Sequence, residues 1–434
     1  MGQHGAGGGE LLLPRQVLAV DGARPRDSLH HSRLPPAGRR PQQHPREQER
    51  LVTRPAVLEI RDLRTYFYSR AKEAFIRSVD GVSLAVAAGE TLGVVGESGS
   101  GKSVTALSIL SLVGGSPGVI TGTIEFAGAT GAGTARRNLL EDLGRYVRVS
   151  ERDGRIVAVT KDEPGWRARV ERALTGVRGK EIAMIFQNPK SSLNPFLTVG
   201  QQISEAIRLH TPVTDAGEAK QRAIDWLERV RMDSPRLRFD QYPDGLSGGM
   251  CQRAMIAMAL ASEPSLLIAD EPTTGLDATI QSRVVALLAE LKSEFGVTTL
   301  LISHDVRVVS RLADTVAVMY GGTVMEHGPA RDVLAPGSEP KHPYTAALLA
   351  SLPSAQTNGG RRTVDGRLPV IRGEVVDTMD VPRGCRFYAR CDRVTEAIRA
   401  RCLGQEPALA TVAAGHRIRC HLYAGETCAE TRPG

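Results

Sequence analysis

The run Gly96-Glu97-Ser98-Gly99-Ser100-Gly101-Lys102-Ser103 fits G-x-x-x-x-G-K-[ST] in full, and it constrains the chain more than any other stretch. The pattern needs a strand before it and a helix after it. Thr91 to Val95 is an apolar, strand-like run, and Leu107, Leu110 and Leu112 continue beyond the loop as a helical pattern. Small residues let backbone N–H groups wrap phosphates, Lys102 reaches the terminal ones, and Ser103 offers a hydroxyl to a magnesium ion. The chain must therefore hold an α/β layer built around a nucleotide loop.

Further along, Ser265-Leu266-Leu267-Ile268-Ala269-Asp270-Glu271-Pro272 reads as a buried strand ending in two carboxylates. An all-apolar strand of this kind suits a parallel sheet whose carboxyl edge carries the chemistry. Asp270 can hold magnesium through water, and Glu271 can polarise an attacking water. Before that strand, Leu246-Ser247-Gly248-Gly249-Met250 opens a helix. Ser247 is a natural N-cap, and Met250, Ala254, Met258 and Ala261 recur at four-residue steps as a buried face. Such a start turns unpaired N–H groups and partial positive charge outward, towards an anion. An isolated Ser-Gly-Gly more often caps a core helix, and an isolated Asp-Glu pair more often solvates a turn. In series with a complete phosphate loop, both point to nucleotide chemistry.

On these motifs the chain resembles the nucleotide-binding subunit of ABC (ATP-binding cassette) transporters. The resemblance extends to Gln187, after Ile182-Ala183-Met184-Ile185-Phe186, which matches the Q-loop glutamine. It extends also to Gly275-Leu276-Asp277, which matches the D-loop, and to His304, after Thr299-Leu300-Leu301-Ile302-Ser303, which matches the switch histidine. It implies an α/β P-loop NTPase core with an antiparallel β subdomain, a helical signature subdomain and a small cysteine-bearing carboxy-terminal domain. It implies too that ATP is held by Gly96, Glu97, Ser98, Gly99, Ser100, Gly101, Lys102, Ser103 and Val104. Ser103, Gln187 and Asp270 would meet magnesium, while Glu271, His304, Lys102 and Gln187 would form the catalytic set. Ser247, Gly248, Gly249 and Asp277 would cover the ATP of a second subunit. By register with Leu58-Glu59-Ile60-Arg61-Asp62-Leu63, Phe67 is expected to stack on adenine, between Tyr66 and Tyr68.

Two segments narrow the resemblance to ATPases of oligopeptide, dipeptide and nickel importers. One is Phe186-Gln187-Asn188-Pro189-Lys190-Ser191-Ser192-Leu193-Asn194-Pro195; the other is His342-Pro343-Tyr344-Thr345, followed by Ala346, Leu348, Leu349 and Pro353. Cys385, Cys391, Cys402 and Cys420 then give C-x5-C-x10-C-x17-C, as in the tail of those ATPases, where some members hold a four-iron four-sulfur cluster. Four thiolates also satisfy zinc, but the spacing lacks the CxxC pairs of common zinc folds. By spacing alone a metal site stands level with unligated or disulfide-forming cysteines; with the resemblance, the cluster leads and zinc follows, and an ATPase working in cytosol argues against structural disulfides. Cys251 and Cys428 fall outside the pattern and read as plain thiols.

The rest of the chain sets the boundaries. Its 434 residues exceed one compact core. We expect a disordered basic Pro/Gly/Arg-rich extension over 1–52, a nucleotide-binding domain over 53–335 with an insertion at about 129–178, and the importer-type tail over 336–434. The likeness begins only near Val57, which suggests an over-extended start. Within the insertion, Val147-Arg148-Val149-Ser150, a turn at Asp153-Gly154 and Ile156-Val157-Ala158-Val159 alternate like a hairpin, and the segment as a whole reads as a tolerated surface loop. No apolar run reaches the roughly 18 residues of a membrane span, so the chain must borrow its pore. The net charge of +7 gathers in the first 50 residues and in 336–434, and aromatics are only 4%, which argues against a nucleic-acid surface.

The resemblance thus predicts the ATP-hydrolysing subunit of an importer of peptides or nickel complexes, peripheral on the cytoplasmic face of the membrane. Its expected partners are a related, non-identical ATPase, two permeases and an extracytoplasmic binding protein. The rival readings are a metal-cluster regulatory ATPase and a non-transport ABC ATPase. The latter usually carries two cassettes or a long coiled coil, and this chain has neither.

Overall fold

Strands buried on both faces read as unbroken apolar runs, and those runs fall where the sequence places them. The computed structural model describes residues 54–128, 136–152, 155–335, 337–352 and 369–423. The extension at 1–52, the turn at Asp153-Gly154, Pro353 and Cys428 lie outside the described residues.

The amino half runs β1 (Ala56–Ser69), β2 (Ala74–Ala87), β3 (Thr91–Val95), α1 (Lys102–Ile109), β4 (Pro117–Ala127) and β5 (Arg136–Asn138), then β6 (Val147–Arg152), β7 (Arg155–Lys161) and α2 (Glu163–Leu174). Next come β8 (Ile182–Ile185), α3 (Pro189–Ser192), α4 (Val199–His210), α5 (Ala216–Arg229), α6 (Pro235–Phe239) and α7 (Gly248–Leu260). They lead to β9 (Leu266–Asp270), α8 (Ala278–Phe295), β10 (Thr298–Ile302), α9 (Val306–Leu312), β11 (Thr315–Tyr320) and β12 (Thr323–Pro329). The remainder adds α10 (Ala330–Val333), α11 (Pro343–Ala350), α12 (Glu396–Gly404), β13 (Leu409–Ala413) and β14 (His416–Arg419).

The central sheet has the order β13-β14-β12-β11-β3-β10-β9-β8. From β8 through β9, β10 and β3 to β11 every pairing is parallel. Alternate residues of each strand feed opposite cores, as the two-residue period demands. In β9, Leu266 and Ile268 join the cluster shared with α1 and the antiparallel strands, whereas Leu267 and Ala269 join the helical one. The second sheet, β2-β1-β4-β5, is antiparallel throughout. The expected α/β core, antiparallel subdomain and helical subdomain are thus all present.

Four local expectations change. α1 stops at Ile109, and Leu112 is exposed rather than part of its apolar face. β1 runs on to Ser69, so Phe67 lies inside the strand and not after it. Residues around the whole circumference of α7 are buried, from Cys251 through Leu260, while Met250 and Met258 are only half-buried. Its neighbours α3, α4, α5, α8 and β8 surround it, so no single stripe is selected. Finally, the tail does not form a layer of its own: β14 pairs with β12 and carries β13, extending the central sheet.

In the insertion, β6 and β7 pair antiparallel as the alternation predicts. α2 starts with Asp162 as N-cap and Pro164 in its first turn. Trp166 of that helix lies 3.5 Å beneath the Lys161 ammonium, a cation–π contact that ties helix to hairpin.

Candidate nucleotide site

The loop after β3 turns sharply because Gly101 takes φ 98°, a backbone that only glycine holds without strain. A Cβ there would also collide with the Ser78 carbonyl of β2. α1 therefore begins at once with Lys102, whose side chain curls back over the loop. Its Nζ donates to the carbonyls of Gly96 at 2.9 Å and Glu97 at 2.8 Å. Burial pulls the lysine pKa down, against the charges of Glu271, Asp270 and Glu97. Ser98 and Gly99 are exposed at the loop's crest, Ser100 is buried beneath them, and Val104 is half-buried against the core.

Ser103, one residue on, donates its hydroxyl to Asp270 Oδ1 at 2.8 Å. The first turn of α1 thereby meets the last residue of β9. Burial raises the Asp270 pKa; the Ser103 hydrogen bond and Lys102 oppose the rise, and Glu271's charge adds to it. A carboxylate and a hydroxyl are hard oxygen donors and suit magnesium, which takes few protein ligands alongside substrate phosphates and water. Ser103 and Asp270 thus fit the expected cation.

Glu271 leaves the strand at φ 48°, in the left-handed region that a non-glycine residue seldom enters. Its N–H still donates to the Ile302 carbonyl of β10, so the turn is anchored while the carboxylate swings free of the sheet. Oε2 accepts from Gln187 Nε2 at 2.9 Å and from Thr274 Oγ1 at 2.8 Å, and Oε1 lies 3.2 Å from His304 Nδ1. Burial pushes this carboxyl up, yet the hydrogen bonds of Thr274 and His304, with the charges of His304 and Lys102, hold it below its ordinary range. Gln187 follows β8, Asp270 ends β9, His304 follows β10 and Gly96 follows β3. The carboxyl edges of four parallel strands gather the set, where open α/β sheets place their chemistry. Thr274, which sequence reasoning missed, joins the group through its bond to Glu271; its only signal is a hydroxyl three positions after a carboxylate, in a turn.

Ser247, Gly248, Gly249 and Asp277 form a separate group. Ser247 caps α7 by accepting from Met250 N at 3.3 Å, and Asp277 caps α8 by accepting from the N–H groups of Thr279 and Ile280. At Gly249 a Cβ would come within 2.7 Å of Ile280 Cγ2, so that glycine is also required for α7 to approach α8. Among the described residues no hydrogen bond joins this group to the phosphate loop. Phe67 is half-buried in β1, paired with Ile76 and Pro117, and its ring lies over Gly115.

In the tail, Cys385, Cys402 and Cys420 are buried and Cys391 half-buried, all four without disulfide bonds. Burial pushes the Cys420 thiol up to about 12, and the charges of the other three push the same way, so the four lie within electrostatic reach. Among the described residues, however, no group of three or more His, Cys, Asp or Glu side chains is placed to hold a metal ion. The expected cluster or zinc therefore finds no support in the arrangement of these thiols. Cys251 is a plain buried thiol, as expected, with Sγ 3.5 Å from the Pro243 carbonyl.

The family model described as ABC transporter matches residues 79–274, and that described as the oligopeptide/dipeptide transporter, C-terminal region, matches residues 325–397. The oligopeptide transport ATP-binding protein AppD of Bacillus subtilis is 40% identical over 373 residues, covering 85% of this chain and 98% of that protein. The dipeptide transport ATP-binding protein DppD of Escherichia coli is 40% identical over 366 residues, covering 84% of this chain and 96% of that one. A solved dimeric bacterial ABC transporter cassette aligns at 24% identity with a TM-score of 0.49, over 63% of this chain and 99% of its own.

Proposed function

This chain belongs to the ABC transporter ATP-binding family, in its oligopeptide and dipeptide branch, and on that premise we infer that it is the ATP-hydrolysing subunit of a peptide importer. Peptides are the first choice of cargo, and nickel complexes the second. The observation that carries the reading is the meeting of Lys102, Ser103, Asp270, Glu271, Gln187 and His304 at one edge of the parallel strands.

In this reading residues 53–335 form the nucleotide-binding domain and 336–434 the importer-type tail. The phosphate loop cradles ATP, with Phe67 beside the adenine. Ser103 and Asp270, with Gln187, would hold magnesium, which would supply positive charge to the phosphates. Glu271 takes a proton from water as that water attacks the terminal phosphorus and the bond to the bridging oxygen breaks, releasing ADP and phosphate, while Lys102 and His304 offset charge on the phosphoryl oxygens. The start of α7 in a second, related ATPase covers this ATP, and the Ser247 to Gly249 segment here covers the other. Phe186, just before Gln187, and Phe196, beyond α3, are exposed and would offer apolar contacts to a permease helix. Among the described residues no helix is long and apolar enough to cross a membrane. In this reading the chain sits at the cytoplasmic face of two permeases fed by an external binding protein.

The test is reconstitution of the chain with its partner ATPase, permeases and binding protein in proteoliposomes. ATP hydrolysis that rises with peptide-loaded binding protein, together with peptide accumulation, is expected; hydrolysis indifferent to peptide would overturn the cargo assignment. The tail's cluster or zinc stands outside this reading unless metal analysis restores it, for which about four irons and four sulfides per anaerobically purified chain would be needed.

A further inference from the structure

We propose that Arg390 and Tyr344, both in the carboxy-terminal tail, are positioning residues for ATP: they hold Glu97 and so preset the phosphate loop. The proposal rests on the reading of Gly96 to Ser103 as that loop.

Glu97 is the loop's second residue, and the tail takes both its N–H and its side chain. The N–H donates to Tyr344 Oη at 2.9 Å. The carboxylate accepts from Arg390 Nη1 at 2.6 Å and from Nη2 at 3.0 Å, a bidentate pair. Lys102 takes the remaining polar group, the carbonyl, from inside the loop. Two effects on nucleotide binding follow. A glycine-rich loop pinned during folding has less conformational freedom to lose when phosphate enters. An acidic side chain beside a triphosphate would repel it, and the Arg390 guanidinium cancels that charge.

The clasp is itself held firmly. The His342 ring caps α11 by accepting from Tyr344 N at 3.0 Å, and Pro343 occupies the first turn. The Tyr344 ring packs against Tyr320 and Phe387, with centroids 4.8 and 5.3 Å away. Arg390, 4% exposed at its side chain, also donates to Tyr320 Oη at 3.3 Å and to the Arg372 carbonyl at 3.0 Å. The His-Pro-Tyr run thus supplies a cap, a helix start and an oxygen delivered to the loop.

The experiment uses the full chain, with magnesium–ADP titrated calorimetrically, and KM and kcat for ATP measured in the assembled transporter. Tyr344→Phe keeps the packed ring and removes only the acceptor oxygen. It should weaken ADP binding and raise KM about tenfold, the scale of one lost hydrogen bond, with kcat at saturating ATP within about twofold of the parent. Arg390→Gln should move both in the same direction. Adding Glu97→Gln to it should restore part of the affinity, because the unpaired carboxylate is then gone. A merely structural role would lower the melting temperature and leave ADP affinity and KM unmoved; that result in folded Tyr344→Phe and Arg390→Gln overturns the proposal. Lys102→Ala separates the two readings. If it binds ADP normally, the loop assignment itself fails; if it loses ADP while Tyr344→Phe and Arg390→Gln bind like the parent, only the positioning role fails.

Discussion

Gln187 donates a 2.9 Å hydrogen bond to Glu271 across 84 residues of sequence, joining the turns that follow the neighbouring parallel strands β8 and β9. Gln187 directly follows the exposed Phe186, so one hydrogen bond separates that surface turn from the carboxylate proposed as base. Glu271→Gln is expected to retain ATP binding and to lose about 10²- to 10⁴-fold in turnover, the usual scale for a general base. Steady-state hydrolysis by the assembled transporter measures it, and unchanged turnover removes Glu271 from that role.

Thr274 donates to the same carboxylate oxygen and helps to hold its pKa below the ordinary range. Thr274→Val keeps the β-branched shape and deletes the donor, so the carboxyl should rise. A base that must be ionised then loses activity earlier on acidification. The acidic limb of kcat against pH should move to higher pH, with about a three- to tenfold loss on that limb and little change near neutrality. A pH–rate profile superimposable on the parent's would show that Thr274 does not orient Glu271.

Gly249 illustrates a glycine required by packing as much as by ligand. Its missing Cβ leaves room for Ile280 of α8, at what would be 2.7 Å. Gly249→Ala should therefore lower the melting temperature by forcing α7 and α8 apart, and Ile280→Ala in the same chain should recover much of the loss. Differential scanning calorimetry decides: a double variant no more stable than Gly249→Ala alone would refute the packing explanation.

Arg386 and Asp80 form a buried ion pair at 2.8 Å between the tail and β2, and Tyr66 donates to the same carboxylate at 2.5 Å. Burial pushes the Asp80 pKa up, but the charge of Arg386 and the hydrogen bonds of Tyr66 and Arg386 hold it below its ordinary value. Arg386→Ala leaves a buried carboxylate with less compensation and should cost about 3–5 kcal/mol near neutral pH. A carboxyl with a lowered folded pKa contributes stability above its unfolded value, near pH 4, and loses it as pH falls through the folded one. The gap between parent and variant in urea unfolding should therefore narrow on acidification below about pH 4. A gap independent of pH would mean that packing, not charge, joins the tail to β2.

The parts that were legible in sequence are those whose physics is local. β3, β8, β9 and β10 stand out because a strand covered on both faces must be apolar throughout, and the residues of the site follow those runs directly. Gly96 to Ser103 carries its own turn chemistry, and Ser247 caps its helix with its own side chain. What was not legible depends on partners distant in the chain. The surroundings of α7 come from α3, α4, α5 and α8, so no period in its own residues could announce burial on every side. Phe67 lies inside β1 because β2 pairs with that strand as far as Ala74, and β4 as far as Pro117. The pairing of β14 with β12 joins residues about ninety positions apart, and short strands do not encode which edge they will meet. Four cysteines in a row of spacings suggested a metal; their spacing says nothing of how closely the thiols approach.

β12 is paired on one side by β11 and at Glu326 and His327 by β14. Without the tail, that stretch of backbone would present open N–H and C=O groups, a template on which another chain could add a strand. With it, the sheet finishes instead on β13, five residues long and irregular in register between Thr411 and Ala413. Such a margin recruits strands poorly, so the tail exchanges an open stretch of sheet edge for a short and irregular one.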